Sequence, residues 1–468
     1  MSTTVGKLRT AARARSCLMI AALCLLVAGS AAAQETVGWR MNGMGTFPNA
    51  TPPTEWSATK NVIWTTPIAT GSNASPVLAS GMVFTCAEPN KLMCFHGPDG
   101  TLIWEQFISI EAASKPEDVV KINQAAEITK NLNREEGELR TLNKQSRQNP
   151  NDDELKKKLE AQKAKVEEFK KQLEPFRAFA LPDAHTVNGY TSSTPATDGK
   201  NVYAVFGNGV AASYDLIGKQ RWIRKLENPR NTQWGHSASP VLAGDKVFIH
   251  LNNLVALNAA TGETLWTANV PSSFGTPAAV KIGDTDALLT PAGDLVQQSD
   301  GKVLATKLGQ LKYASPLVEN SVAYFIDEAG GRAIKIPEKL SDPLTPEVLW
   351  NNKPSPDRYY ASPVLHDGLL YAVTQKGDFS VFDAKTGTLV YEKKLALAGG
   401  TFYPSLVLAG KYLYVSDDKG TTVVIEPGKE YKEIARNTLD PFRGTPIFEG
   451  KRMYIRTQKA IYCIGDAP

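Results

Sequence analysis

A two-residue step, a hydroxyl side chain followed by proline, returns at Ser75-Pro76, Thr194-Pro195, Ser239-Pro240, Thr276-Pro277, Ser315-Pro316, Ser362-Pro363 and Thr445-Pro446, with Ser405-Leu406 in the remaining place. From the second occurrence onward the spacing is 45, 37, 39, 47, 43 and 40 residues. The clearest copy is residues 236–266, HSASPVLAGDKVFIHLNNLVALNAATGETLW. Short apolar and β-branched runs there are separated by Gly-Asp, Asn-Asn and Thr-Gly, which are hairpin signals. Four short strands cannot bury both faces of their sheet alone. A period of about forty residues is that of a four-stranded propeller blade stacked against its neighbours.

Eight such copies are present. The eighth stops after its third strand, Ile461 to Ile464, whereas residues 61–66 (NVIWTT) read as a strand with no blade of their own. Pairing the two closes a ring and removes both edges, as a propeller requires. The expected architecture is therefore all-β: an eight-bladed β-propeller. The first and second copies stand 119 residues apart, and the excess falls at about 111–178. There Leu155, Leu159, Val166, Phe169, Leu173 and Phe176 recur at helical intervals among Lys and Glu, a coiled-coil-like pattern. Asn149-Pro150-Asn151-Asp152 interrupts it, and Asn151 with Glu154 resembles a capping box. An antiparallel α-helical hairpin inserted in the ring is predicted. The segments are then a leader at 1–33, a lead-in at 34–60, the closing strand and blade 1 at 61–110, the hairpin at 111–178 and blades 2–8 at 179–468.

Lys7, Arg9, Arg13 and Arg15 precede an apolar run from Cys17 to Ala28, and Ala31-Ala32-Ala33 offers a cleavage site before Gln34. This is the pattern of a secretory signal peptide. It predicts a periplasmic or secreted protein with no stable membrane insertion after cleavage. Neither Cys17, after Arg15-Ser16, nor Cys24, after Ala22-Leu23, matches the cleavage pattern of a lipoprotein signal. The chain has 52 basic residues against 48 acidic ones, and removing the four in the leader balances the charges. Global basicity thus gives no case for nucleic acid. Cys86, Cys94 and Cys463 remain. Cys94 and Cys463 hold the same place in their repeats, and a Cys86–Cys94 bridge stays open on the sequence alone.

The A-x-S-P-V start, the L-N-A-A-T-G and F-D-A-K-T-G turns and the G-x-x-x-W close resemble the PQQ-type β-propeller repeat. Quinoprotein dehydrogenases share it, as do BamB-like outer-membrane assembly factors. The lead-in WRMNGMGTFPNATPPTEWS also resembles that of secreted PQQ-like propellers of planctomycete-type bacteria. The resemblance implies that Trp104, Trp222, Trp266 and Trp350 dock each blade on the next, with Tyr391 as a substitute. A quinoprotein would further imply a bound PQQ, a calcium-type cation, a catalytic Asp and, in the alcohol dehydrogenases, adjacent cysteines over the cofactor. No adjacent cysteines occur, and Asp183 and Asp357 are the acids that fall near the loops between blades. PQQ with calcium is therefore the alternative and not the expectation, and no resident cofactor is expected.

Other chemistry is missing from the pattern. His96, His185, His236, His250 and His366 show no metal-binding spacing. The stretch GHSAS at 235–239 ends in Ser and precedes a strand, unlike a nucleophile elbow. No catalytic residue and no metal ligand is assigned. The loops that join one blade to the next meet at the ring mouth, and the residue three before each Pro slot stands there: Asn73, Ser192, Ser237, Phe274, Tyr313, Tyr360, Tyr403 and Arg443. Nearby are His185, Tyr190, Trp234, His236, Arg358, Tyr359 and Phe402. Aromatic rings with a few cations and hydrogen-bonding groups suit a binding surface. The expected function is a non-catalytic scaffold taking a protein or small ligand at His185, Tyr190, Trp234, His236, Phe274, Tyr313, Arg358, Tyr359, Tyr360, Phe402, Tyr403 and Arg443, with the hairpin as a further protein contact. A BamB-like assembly factor and a quinoprotein oxidoreductase are the alternatives.

Overall fold

In the computed structural model, residues 37–227, 234–395, 397 and 399–466 are described. The leader at 1–33 lies outside them. Each Ser/Thr-Pro copy forms one antiparallel sheet whose strands follow chain order. The copy at residues 236–266 forms the strands Val241–Ala243, Lys246–His250, Leu254–Asn258 and Thr264–Ala268. Its Asn258 accepts backbone N–H bonds from Ala260 and Thr261 through Oδ1, and Asp383 does the same for Lys385 and Thr386. The recurring Asn/Asp before Thr-Gly is thus a side chain that builds its own turn.

The ring closes as the strand count requires. Val62–Pro67 pairs antiparallel with Ala460–Ile464 and supplies the fourth strand of blade 8. In all eight blades the register slips once between the third and fourth strands. Such a bulge re-aims the next side chain, and in five blades that side chain is Trp. Its indole N–H crosses to a carbonyl of the next blade: Trp64 to Gly97, Trp104 to Leu216, Trp222 to Ala259, Trp266 to Gln298 and Trp350 to Ala384, at 2.8–3.1 Å. The residue paired with it on the third strand is small: Cys463, Cys94, Ser213, Ala256 and Ala333. This explains the shared position of the two cysteines. Tyr391 takes the place in blade 6, but its buried hydroxyl has no partner among the described residues. Cys86 lies opposite Leu92 and Cys94 opposite Phe84, so they are not cross-strand neighbours. All three cysteines are free and buried.

The Ser/Thr of each repeat start has a structural duty. Its backbone N–H donates to the hydroxyl of the next blade's Ser/Thr. The bonds run from Ser75 through Thr194, Ser239, Thr276, Ser315, Ser362, Ser405 and Thr445 back to Ser75, each at 2.8–3.1 Å. Eight blades are tied into one closed girdle around the axis. The following Pro has no N–H left to satisfy. Leu406, the exception, gives its N–H to Ser362 O.

The lead-in, which has no period, spans the ring. Val37 pairs with Thr197 of blade 2. Arg40, fully buried, donates to Met44 O, Pro363 O and Leu406 O. Thr46–Phe47 then adds a parallel strand to blade 7.

Two helices follow blade 1: α1, Pro116–Gln148, and α2, Asp153–Leu173. They pack on each other and bury Leu132 and Val166, with a polar layer in which Gln162 bonds Glu135. The cap of α2 is Asp152, whose Oδ1 accepts Leu155 N–H at 2.9 Å, not the Asn151 of the expected capping box. Near the base, Ile122 joins the core between blades 1 and 2. Phe179 lies beneath the ammonium groups of Lys121 and Lys225, 4.8 and 5.4 Å from its ring centre. The hairpin is thereby anchored to the outer strand of blade 2. No helix among the described residues is long and apolar enough to cross a membrane.

Candidate functional site

The loops before each Ser/Thr converge on a cavity of about 530 Å³ at the ring mouth. All eight entrance residues line it: Asn73, Ser192, Ser237, Phe274, Tyr313, Tyr360, Tyr403 and Arg443. The eight girdle hydroxyls line it too, because the girdle is two residues further along the same loops. Its size is that of an ordinary small-ligand cavity.

Four consecutive blades contribute an aromatic arc. The ring centroids of Phe274 and Tyr313 lie 5.7 Å apart, Tyr313 and Tyr360 4.6 Å, and Tyr360 and Tyr403 4.7 Å. Arg443 continues the arc on blade 8, its guanidinium 5.3 Å from the Tyr403 ring centre. Arg358 donates to the Tyr360 hydroxyl at 3.2 Å.

The opposite half of the mouth is overlain by the segment that returns from the hairpin. Val187 O accepts from Arg443 at 2.9 Å and from Asn73 at 2.8 Å. Asn188 donates to Trp234 O at 2.8 Å, and the His185 ring packs on Trp234 with centroids 4.5 Å apart. Glu88 fixes the end of this segment by accepting the N–H groups of Tyr190 and Thr191. Val187, Asn188 and Trp234 reach the cavity, whereas His185 and Tyr190 stand behind it, Tyr190 donating its hydroxyl to Pro182 O.

Three expected site residues sit elsewhere for one reason. His236, Tyr359 and Phe402 are each four before the Pro slot and each 1 % exposed. Adjacent residues of an extended segment point to opposite sides, so a neighbour of a mouth residue is turned between the blades. Ser72, Thr191 and Phe442, in the same place, are buried as well. The His236 ring donates to His250 O at 2.6 Å, and burial lowers its pKa to about 4. Lys312 breaks the pattern: also four before the slot, it is exposed and lines the cavity. Trp39 does too. It belongs to the lead-in, where no repeat position marks it, and its ring centre lies 5.2 Å from the Arg40 guanidinium.

With that geometry in place, relatives can be compared. A family model described as "Outer membrane protein assembly factor BamB" matches residues 184–334, which span blades 2 to 5. The outer membrane protein assembly factor BamB of Yersinia pestis is 23 % identical over 280 residues, covering 54 % of this chain and 69 % of that protein. The chain is an eight-bladed β-propeller similar to the PQQ-like propellers. Solved relatives of this propeller share its fold. BamB from Moraxella catarrhalis aligns with a TM-score of 0.55 and 12 % identity over 86 % of this chain and 97 % of its own. A europium-containing methanol dehydrogenase aligns with 0.58 and 10 % identity over 92 % and 98 %. An enzyme and an assembly factor therefore stand at similar structural distance from the propeller, and fold alone does not assign its function.

Proposed function

We propose that this PQQ-like propeller is an extracytoplasmic, non-catalytic scaffold that binds a partner or small ligand at its aromatic mouth. One observation carries the reading. The eight entrance positions converge on a single cavity whose lining, among the described residues, contains aromatic rings, hydroxyls and cations but no Asp, Glu, His or Cys. Such a lining offers hydrogen bonds and apolar contact. It offers no general base and no nucleophilic pair within reach of a bound molecule.

The same lining bears on the quinone. Calcium requires oxygen ligands rich in carboxylate, and a quinoprotein needs an acid–base carboxylate beside its cofactor. No group of three or more His, Cys, Asp or Glu capable of holding a metal occurs among the described residues. Asp357 is engaged with Gln375 and does not reach the cavity, and Asp183 is exposed outside it. The described residues do not fit a calcium–quinone pair.

A second reading, that the protein is a BamB-like assembly scaffold, is favoured by the family-model match and by the Yersinia pestis relative. It assigns a protein to the mouth, with the hairpin as an additional contact. The test is the Tyr313→Ala, Tyr360→Ala, Tyr403→Ala triple variant, compared with wild type by crosslinking in cells that express it. Loss of the wild-type crosslinks from a folded triple variant is expected. An unchanged crosslink pattern would count against the mouth as the binding site. Normal outer-membrane protein levels in cells lacking the chain would remove the assembly reading and leave the first.

A further inference from the structure

The aromatic content of the mouth conceals a one-sided charge. Three cations, Lys312, Arg358 and Arg443, line the cavity, and no carboxylate does among the described residues. Asp418 contacts Arg443 at 3.4 Å from outside the lining, and Glu328 lies near Lys312 and Arg358 without reaching the cavity. Asp327 accepts the Lys312 backbone N–H at 3.1 Å and Asp357 adjoins Arg358 in the chain, so carboxylates stand behind the cations, but none of them lines the cavity. Below the rim, Arg40 is 1 % exposed, bonded to three carbonyls, and has no carboxylate partner among the described residues. Burial lowers its pKa to about 9, which leaves it protonated at neutral pH. Buried cations are ordinarily paired with an anion. This one instead sits beside Trp39, a cavity-lining ring.

The rings reinforce the same sign. An aromatic ring is negative on its face and positive at its edge. In the arc, Phe274 and Tyr313 stack at 24° between planes, and Tyr360 and Tyr403 at 16°. The Lys312 ammonium lies 5.2 Å from the Tyr313 ring centre and the Arg443 guanidinium 5.3 Å from that of Tyr403. Tyr313, Tyr360 and Tyr403 each turn a face to another ring or to one of the protein's own cations, so a cationic guest of the kind that enters aromatic cages meets faces already engaged or held by like charge.

Resting on the mouth as the binding site, we infer that its cavity selects a carboxylate-bearing ligand, held by Lys312, Arg358 and Arg443 above the Trp39 floor. Two sources supply that chemistry: a free small polycarboxylate, or an acidic segment of a protein partner. Electrostatic capture at a low-dielectric concave site favours either over a neutral molecule of equal size.

The test is isothermal titration of the full mature chain with four probes: citrate, a hexaglutamate peptide, a hexaglutamine peptide and choline. Binding of citrate or hexaglutamate is expected, with no heat from hexaglutamine or choline. Citrate alone identifies a small free ligand, and hexaglutamate alone identifies a partner segment. Affinity should fall by about tenfold in Lys312→Gln, Arg358→Gln, and again on raising salt from about 0.05 M to about 0.5 M. Both side chains are exposed, so this variant keeps its fold, checked by an unchanged melting curve. Absence of binding by both carboxylate probes, or binding indifferent to the two substitutions, overturns the inference. If crosslinks are still lost in the tyrosine triple variant while no carboxylate binds, the mouth stands as a site and only its charge preference falls. If neither variant changes any binding, the site itself falls.

Discussion

The docking of each tryptophan on the next blade makes a quantitative prediction at Trp222 and Gly262. Trp222 is 4 % exposed and donates to Ala259 O at 2.8 Å. Its indole lies over Gly262, which has φ +70°, and a Cβ there would stand 2.5 Å from Trp222 Cδ2. Gly262→Ala therefore carries two costs. The left-handed backbone contributes about 1–2 kcal/mol, and forcing the ring aside contributes about 1–3 kcal/mol. Trp222→Ala removes the ring and leaves the Ala259 carbonyl unpaired, at about 3–5 kcal/mol. In the double variant the steric part has no target. Its loss should fall short of the sum of the single losses by about 1–3 kcal/mol.

Urea unfolding followed in parallel by far-ultraviolet circular dichroism and intrinsic fluorescence measures the cycle, with coincident transitions as the condition for using free energies. Gly244, in the first turn of the same blade, is the internal control. Its φ is +57° and a Cβ there meets nothing within 4 Å. Gly244→Ala should cost only the backbone part, about 1–2 kcal/mol, with or without Trp222. Additivity of Gly262→Ala and Trp222→Ala within about 0.5 kcal/mol would refute the docking argument. A coupling of equal size at Gly244 would show that the effect is not the indole contact.

Tyr391→Phe removes a buried hydroxyl that has no partner among the described residues and should leave stability unchanged or raise it by up to about 1 kcal/mol; a clear loss in thermal melting contradicts the packing described for blade 6. Burial holds the pKa of both His236 and His250 at about 4, with Glu227 opposing weakly. Between about pH 6.5 and pH 4 the unfolded chain then binds more protons than the folded one. Stability should fall as pH falls through that window, by at most about 1.4 kcal/mol per pH unit for each histidine. His236→Gln should flatten the decline, and equal slopes for variant and wild type refute it. Incubation with PQQ and Ca²⁺ should give neither a spectral change nor dye-linked alcohol oxidation, and a saturable spectral change would restore the quinoprotein reading.

The ring was legible because a blade is a local object. Each repeat carries its own turns, strand lengths and start signal within about forty residues, so the period, the blade count and the closing strand could be read without long-range information. The mouth was legible to the same extent. A fixed offset of three from the Pro slot marked eight residues, and all eight line the cavity. The error at an offset of four followed from treating neighbours as equivalent. His236, Tyr359 and Phe402 have the chemistry of site residues, but strand alternation turns them inward. Trp39 and Arg40 were beyond reach for a different reason. The partners of Arg40, Pro363 and Leu406, are more than 300 residues away, and an irregular segment held by such contacts leaves no periodic trace. The girdle was visible as a repeated Ser or Thr, yet its role depends on a cyclic neighbour relation that appears only once the ring is closed.

Repetition makes eight blades equivalent, so function must come from what breaks the equivalence. The girdle and the indole contacts are the same kind of bond at every blade that has them, and they serve the ring. The entrance position is not the same: it is Asn, Ser or Ser on blades 1 to 3, aromatic on blades 4 to 7 and Arg on blade 8. The polar half is the half overlain by residues 185–188, pinned by Asn73 and Arg443 to one carbonyl of Val187. That segment is delivered across the mouth by the chain returning from the helical hairpin. Asn73, Ser192 and Arg443 hold the overlying segment through Val187 O and Asn188 O, and aromatic entrance residues border the open half. On this arrangement the hairpin acts on the site through the strap it ends in. Shortening the helices while keeping residues 177–190 should leave the cavity intact, whereas cutting the Val187 contacts should open it.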